Sequence, residues 1–311
     1  MWRPEKHQRV FLIDKLEFLI AVAREKSFRR AAEACGVAQP TLSAGVKQLE
    51  ETLGVMLVHR NSRFQGLTAE GERVLEWAKK LAGDARAMRE EVRAFKKGLS
   101  GHLRIAVIPS ALPFIPRLTN IYQSLHPDVR LTILSRSSSE IIDLINDLEI
   151  EAGVTYIGVE TIGKLESVPL YIERYRLLIT NSSPLSKRLR VTWTEIKDLP
   201  LCLLTPDMQN RRILEKLLWP AEEGDTLRIL EADSMITLIA HVLHGGKVTI
   251  VSEQIADLLA ASDAFRAIPI IDPDAEFRIG LVVSSRHLIS PLINTLVSAT
   301  RQISTTAKKL R

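Results

Sequence analysis

The sequence predicts three parts in series: a winged helix-turn-helix (residues 1–67), a long coiled-coil helix (68–98) and a two-lobed α/β domain (99–311). Three observations predict this. Short helix-like runs separated by tight breaks fill residues 14–53, a heptad repeat runs from 74 to 95, and from Gly101 onward strand-like and helix-like runs alternate. At 311 residues the chain has material for two or three cores.

The first helix is predicted over "DKLEFLIAVARE". Leu16, Leu19, Ile20 and Ala23 recur at helical spacing behind Asp14, a candidate N-cap. Ser27 is predicted to cap a second helix ending at Cys35, and Gly36 suits the left-handed residue that stops it. A third helix is predicted from Gln39, with Pro40 in its first turn, to about Leu53 before Gly54. Two apolar runs around Arg60-Asn61-Ser62-Arg63 then read as a small hairpin, the wing.

Thr68 opens the long helix. Val74, Ala78, Leu81, Ala85, Met88, Val92 and Phe95 follow one another four and three residues apart, the seam of a coiled coil that pairs two chains. Beyond Gly101, runs such as "LRIAVI", "VRLTIL" and "KVTIVS" alternate with helical ones, which predicts parallel strands in two lobes with a cleft between them.

Charge agrees with this division. Residues 1–97 carry 19 Lys and Arg against 13 Asp and Glu, whereas the rest carry 23 against 24, so a polyanion partner would meet the front of the chain. The charged N-terminus lacks an apolar core and cleavage site, so secretion is not expected. No membrane span is expected either, and Cys35 and Cys202 read as reduced core thiols of a cytoplasmic protein.

The residues from Phe18 to Gly71 resemble the LysR-type bacterial transcriptional regulators. Phe18, Ser27, Ala31, Ala32, Gln39, Pro40, Ser43, Leu49, Glu50, Leu53, Gly54, Leu57, Arg60, Leu67, Thr68 and Gly71 fall where that family's motif expects them. Cys35, Ala38, Gly45 and Val58 depart from it. Gly45 costs a helix about 1 kcal/mol against alanine, so close approach of DNA or of a neighbouring helix is required to explain it.

The resemblance implies that the third helix enters the major groove of promoter DNA. Gln39 can pair with an adenine edge, Thr41 and Ser43 can reach bases or phosphates, and Pro40 shares their turn. Lys47 suits a phosphate; Arg29, Arg30 and Arg63, with Ser27 beside the first two, suit the backbone or minor groove. Thr41 and Ser43 also fit an ordinary first turn, and Arg29 and Arg30 an ordinary solvated surface.

The resemblance further implies an effector domain similar to periplasmic binding proteins, with lobe I at 100–162 and 268–311 and lobe II at 163–267. Ser110, Ala111 and Ser138, at helix starts of lobe I, and Thr205, Gln209 and Asn210, at a helix start of lobe II, would line the cleft. Hydroxyls beside helix N-termini favour a small organic anion, with no cofactor required. The run "SSSEIIDLINDLEIEAGVTYIGVE" is similar to family members found beside formate dehydrogenase genes, which implies formate or a related C1 metabolite. The family usually assembles as a dimer of dimers that bends DNA and alters RNA polymerase engagement.

An enzyme or a solute-binding protein with an incidental basic front domain is the alternative. His241 and His244 sit at i,i+3 without further ligands at metal spacing, and no nucleophile elbow, Walker loop or dinucleotide fingerprint is present.

Overall fold

The computed structural model describes residues 12–60, 64–159, 165–220, 229–284 and 290–309. The chain divides into two compact units, the first built on residues up to Gly98 with two short later segments, the second on the remainder.

The N-terminal unit holds α1 (Leu12–Glu25), α2 (Phe28–Cys35), α3 (Gln39–Leu53), the hairpin β1 (Val58–Arg60) and β2 (Phe64–Leu67), and α4 (Ala69–Lys97). Because α1 already starts by Leu12, Asp14 lies within its first turn and is not its cap. Ser27 does cap α2, its hydroxyl accepting from the Arg30 amide, and Gly36 ends it at φ 67°. Leu19, Val22, Ala31, Ala32, Leu42, Val46, Leu49 and Leu57 form a core sealed from below by Leu75, Ala78 and Ala82 of α4.

Gly45 is explained by its neighbouring helix: a Cβ there would lie 2.6 Å from Phe18 Cδ2. Gly71 answers to the same geometry, since a Cβ would fall 2.0 Å from the Leu57 carbonyl oxygen. The wing root and the first turn of α4 can touch only without that carbon.

The C-terminal unit has two sheets. Lobe I orders β4 (Val129–Ser135), β3 (Gly101–Val107), β5 (Ala152–Tyr156), β13 (Phe277–Ser284) and β6 (Leu165–Glu173) side by side, with α5 (Ile115–Leu125), α6 (Ser138–Asn146) and α11 (Pro291–Lys309). Lobe II orders β11 (Thr249–Ser252), β7 (Tyr175–Thr180), β12 (Phe265–Ile271) and β8 (Val191–Thr192). A parallel pair, β9 (Cys202–Leu204) and β10 (Leu230–Ala232), lies beside this sheet. Its helices are α7 (Trp193–Ile196), α8 (Gln209–Leu218), α9 (Met235–Gly245) and α10 (Glu253–Leu259).

Two expectations require correction. The sheets are mixed: β3 runs parallel to β4 and β5, but β13 is antiparallel to β5 and β6, and β7 antiparallel to β11 and β12. β7 and β13, each of which enters its sheet straight from a strand of the other lobe with no helix between, run against their neighbours. The lobe crossings also fall later than 162 and 267. β6 pairs with β13 along its length in lobe I, β12 pairs with β7 and β8 in lobe II, and the chain crosses at Arg174 and again between 271 and 277.

Candidate DNA-reading face and effector cleft

Leu42, Gly45, Val46, Leu49 and Glu50 are the buried face of α3. At 100° per residue the opposite face is centred on Pro40, Ala44 and Lys47, all exposed, with half-buried Ser43 and, further round, Gln39 on one flank and exposed Gln48 on the other. Thr41 is exposed on the other flank and lines a hollow with Phe18, Cys35 and Val37. Pro40, Thr41 and Lys47 of the expected residues thus share the outward surface, with Ser43 at its edge and Gln39 at the helix start beside the buried face. Ala44 and Gln48 belong to that surface but were missed, because their types carry no signal until the helix is placed on its core.

The cations around this face are partly engaged. Arg29 pairs with Glu33 at 3.0 Å, and Lys47 lies 3.6 Å from Glu51. Arg30 donates to the Glu25 carbonyl. All three side chains are more than 60% exposed, so these pairs are weak and readily exchanged for phosphate. Arg63 lies outside the described residues. The carboxylate of Glu50 is buried and accepts from the Leu57 and Val58 amides at 2.9 and 3.1 Å. A side chain of the recognition helix therefore pins the root of the wing.

The predicted seam on α4 divides in two. Ala78 and Ala85 are buried within the chain and Val74 packs on its core. Leu81, Met88 and Val92 are exposed, joined by Trp77 at 63% exposure. The side chain of Phe95 lies outside the described residues. The stripe open to a second chain is therefore Trp77, Leu81, Met88 and Val92, narrower than the sequence reading and displaced by one position at its start.

Between the lobes, Ser110 sits in a 3₁₀ turn (Pro109–Phe114) beside fully buried Ala111. Its hydroxyl is 3.4 Å from the Tyr156 hydroxyl, and its carbonyl accepts from Ser252 of lobe II at 2.9 Å. Tyr156 donates to Glu173 Oε1 at 2.5 Å and meets the Tyr175 hydroxyl at 3.1 Å. Asn210, at the start of α8, donates to both tyrosines at 3.3 Å. Glu173 is 1% exposed. Burial, opposed by the Tyr156 hydrogen bond and the nearby hydroxyls of Ser110, Tyr175 and Tyr171, lifts its carboxyl to about 7. Burial likewise raises the hydroxyls of Tyr156 and Tyr175 far beyond the usual tyrosine range.

The remaining expected cleft residues are occupied otherwise. Ser138 is buried and its hydroxyl accepts from Thr155 at 2.9 Å. The start of α6 is closed by a reciprocal cap: Glu140 accepts from the Ser137 amide while the Ser137 hydroxyl accepts from the Glu140 amide. Gln209 is held by Arg212, and the Thr205 hydroxyl is buried without a partner. Two carboxylates thus stand near these helix starts: Glu140 caps α6 through the Ser137 amide, and Glu173 is linked to Ser110 through the Tyr156 hydroxyl. Glu173 and the tyrosines escaped the sequence reading. The signal was present as "YIERY", which puts Tyr171, Glu173 and Tyr175 at period two on one side of a continuous strand path.

Among the described residues no group of three or more His, Cys, Asp or Glu could hold a metal ion, and none of their helices is long and apolar enough to cross a membrane. Cys202 is buried in β9 and donates toward the Leu238 and Val248 carbonyls; burial pushes its thiol up to about 11. Burial also raises the thiol of Cys35, in α2.

A helix-turn-helix unit with an exposed reading face, joined to a two-lobed domain with a polar cleft, defines a ligand-responsive class of DNA-binding protein. Residues 13–72 match the bacterial regulatory helix-turn-helix protein family, lysR type, and residues 96–304 the LysR substrate binding domain. The chain belongs to the LysR family of DNA-binding transcriptional regulators.

A hydrogen peroxide-inducible genes activator of Dickeya chrysanthemi is 29% identical over 193 residues, 62% of this chain and 63% of that protein, so this match spans less than two thirds of the relative's length. The DNA-binding transcriptional dual regulator OxyR of Escherichia coli K12 is 26% identical over 271 residues, 87% of this chain and 88% of OxyR. In structure, full-length OxyR of Pseudomonas aeruginosa, a cysteine-to-aspartate variant, superposes with a TM-score of 0.74 at 24% identity, covering 95% of this chain and 96% of that one.

Proposed function

We propose that this chain is a sequence-specific promoter-binding regulator switched by a small effector between the lobes of its C-terminal unit. The observation that carries the reading is the coexistence of an exposed α3 face with an inter-lobe polar cluster whose partners come from both lobes. Gln39, Pro40, Ser43, Ala44, Lys47 and Gln48 meet base edges and adjacent phosphates, while Arg29, Arg30, Ser27 and Arg63 track the backbone. Exposed Thr41, beside Gln48, joins them at the edge of the same face. Trp77, Leu81, Met88 and Val92 pair two chains, two such dimers assemble into a tetramer in the cytoplasm, and effector binding alters how bound DNA engages RNA polymerase.

Ser110 and Asn210 are the paired contacts of the cleft, one from each lobe, and a ligand that replaces their link through Tyr156 changes the lobe angle. Ser138 and Thr205 flank it. The peroxide response in the relatives' names does not extend to this chain. Its two cysteines belong to different units and burial disfavours the thiolate of each, the species that reacts with peroxide. Genome-wide selection of DNA fragments by the purified chain, followed by footprinting, tests the assignment. Binding without sequence preference, or a preference unchanged in Gln39→Ala, would refute it.

A further inference from the structure

We propose that the floor of the inter-lobe cleft is an ammonium-binding site, built by Glu173 inside a shell of tyrosines, and that the effector carries a compact cationic head. This rests on the effector reading above and names its chemistry.

Four observations converge. First, Glu173 is a wholly buried carboxylate, and the groups that act on it are hydroxyls: Ser110 from the 3₁₀ turn, Tyr156 from β5, Tyr171 from its own β6 and Tyr175 from β7. No Lys, Arg or His contributes to its charge balance among the described residues. Of the nearest cations in sequence, Arg174 is committed to Glu276 and Arg176 to Glu253. A buried carboxylate without a cation costs several kcal/mol in its charged form, which is the physical demand an ammonium would meet.

Second, acceptor capacity is left over. Glu173 Oε2 and the Tyr171 hydroxyl are both buried without a hydrogen-bond partner. Tyr171 Oη faces the carboxylate but does not reach bonding geometry. An ammonium offers three donors and no acceptor, the complement of such a set.

Third, the surroundings are aromatic. Phe277 lies 6.3 Å from Tyr156 and 5.9 Å from Tyr175, Trp193 lies 6.2 Å from Tyr175, and Phe114 lies 4.6 Å from Tyr171, centroid to centroid. A carboxylate within aromatic rings is the composition that recognises amines, because the ring faces add cation–π attraction while excluding water.

Fourth, the site is tied to lobe closure. Asn210 of lobe II supplies the only amide donor to Tyr156 and Tyr175 among the described contacts, through two long bonds of 3.3 Å. An ammonium donating to the same oxygens competes with Asn210, so occupancy and lobe angle are linked.

The experiment uses the full chain in thermal-shift and calorimetric titrations with ethylammonium chloride, sodium formate, sodium acetate and ethanol at matched ionic strength. Ethylammonium is expected to raise Tm where ethanol and the carboxylates do not. Because the carboxyl sits at about 7, the ammonium affinity should be about tenfold higher at pH 8 than at pH 6. Glu173→Gln should remove binding. Tyr171→Phe, which keeps the ring and drops one orphaned hydroxyl, should weaken it several-fold and serves if the glutamine variant fails to fold.

Formate or acetate binding in preference, lost in Ser138→Ala, would overturn the cationic site and leave effector sensing intact. Ammonium binding that survives both Glu173→Gln and Tyr171→Phe would also overturn it. Ammonium binding that meets these criteria but never alters DNA affinity or bending would uphold the site and refute its role as sensor. No shift with any probe would overturn the site.

Discussion

Phe18 and Gly45 fit each other in one direction only. A methyl added at Gly45 would press 2.6 and 2.9 Å against the Phe18 ring, so one of the two helices must give way. Alanine gains about 1 kcal/mol of helix propensity, whereas overpacking a core costs typically 1–3 kcal/mol. Gly45→Ala should therefore lower the Tm of the N-terminal transition by a few degrees, as scanning calorimetry would measure. An increase would mean that the ring moves freely and that the glycine serves DNA approach instead.

Glu173 makes a second prediction at this scale. Its carboxyl is held at about 7, above the ordinary 4.5, so the folded chain binds this proton more tightly than the unfolded chain. The stabilisation is complete below 4.5 and is lost as pH rises through 7, on the order of 3 kcal/mol in all without ligand. Denaturant midpoints should fall across that window in the wild type and stay flatter in Glu173→Gln. Equal slopes would refute the raised carboxyl.

Among elements, α3 and α4 each do two jobs on opposite faces. The buried face of α3 carries Glu50, which holds both wing-root amides, while its outer face is free for DNA. Glu50→Ala leaves two buried amides unsatisfied and should cost about 1–3 kcal/mol for each. Lower DNA affinity, with α-helical circular dichroism retained, would show that the wing has come loose. A variant that binds DNA as before would refute the positioning role. On α4, Ala78 and Ala82 seal the domain core whereas Leu81, Met88 and Val92 look outward. Leu81→Glu with Met88→Glu should convert the dimer to monomer in sedimentation equilibrium without unfolding the unit, since neither side chain serves its own core. Retention of the dimer would move the interface elsewhere.

For the whole molecule, the question is what signal passes from the C-terminal unit to DNA. A thiol switch would need a reactive cysteine, and the chain offers one half-buried in α2 and one fully buried in β9. The double variant Cys35→Ser, Cys202→Ser should bind its promoter with the wild-type profile, and hydrogen peroxide should leave the footprints of both proteins unchanged. A peroxide-dependent footprint that disappears in the double variant would restore the thiol reading.

Much of this was legible in the sequence where the signal is local. Ser27, Gly36, Pro40, Gly54 and Thr68 mark helix ends by their own side-chain or backbone chemistry, and "QPTLS" marks the start of α3 without help from distant residues. The wing, the long helix and the two-lobed plan follow from period and spacing alone. What required tertiary structure is everything that depends on two distant segments meeting. Gly45 is intelligible only against Phe18, and the dimer stripe only after α4 has spent Ala78 and Ala82 on its own core. The cleft's charge depends on Glu173, Tyr156 and Asn210, drawn from three elements far apart in the chain. A sequence records which groups are available. Burial decides which of them lose water, and it is that loss at Glu173, set by three separate elements, that raises its carboxyl to about 7.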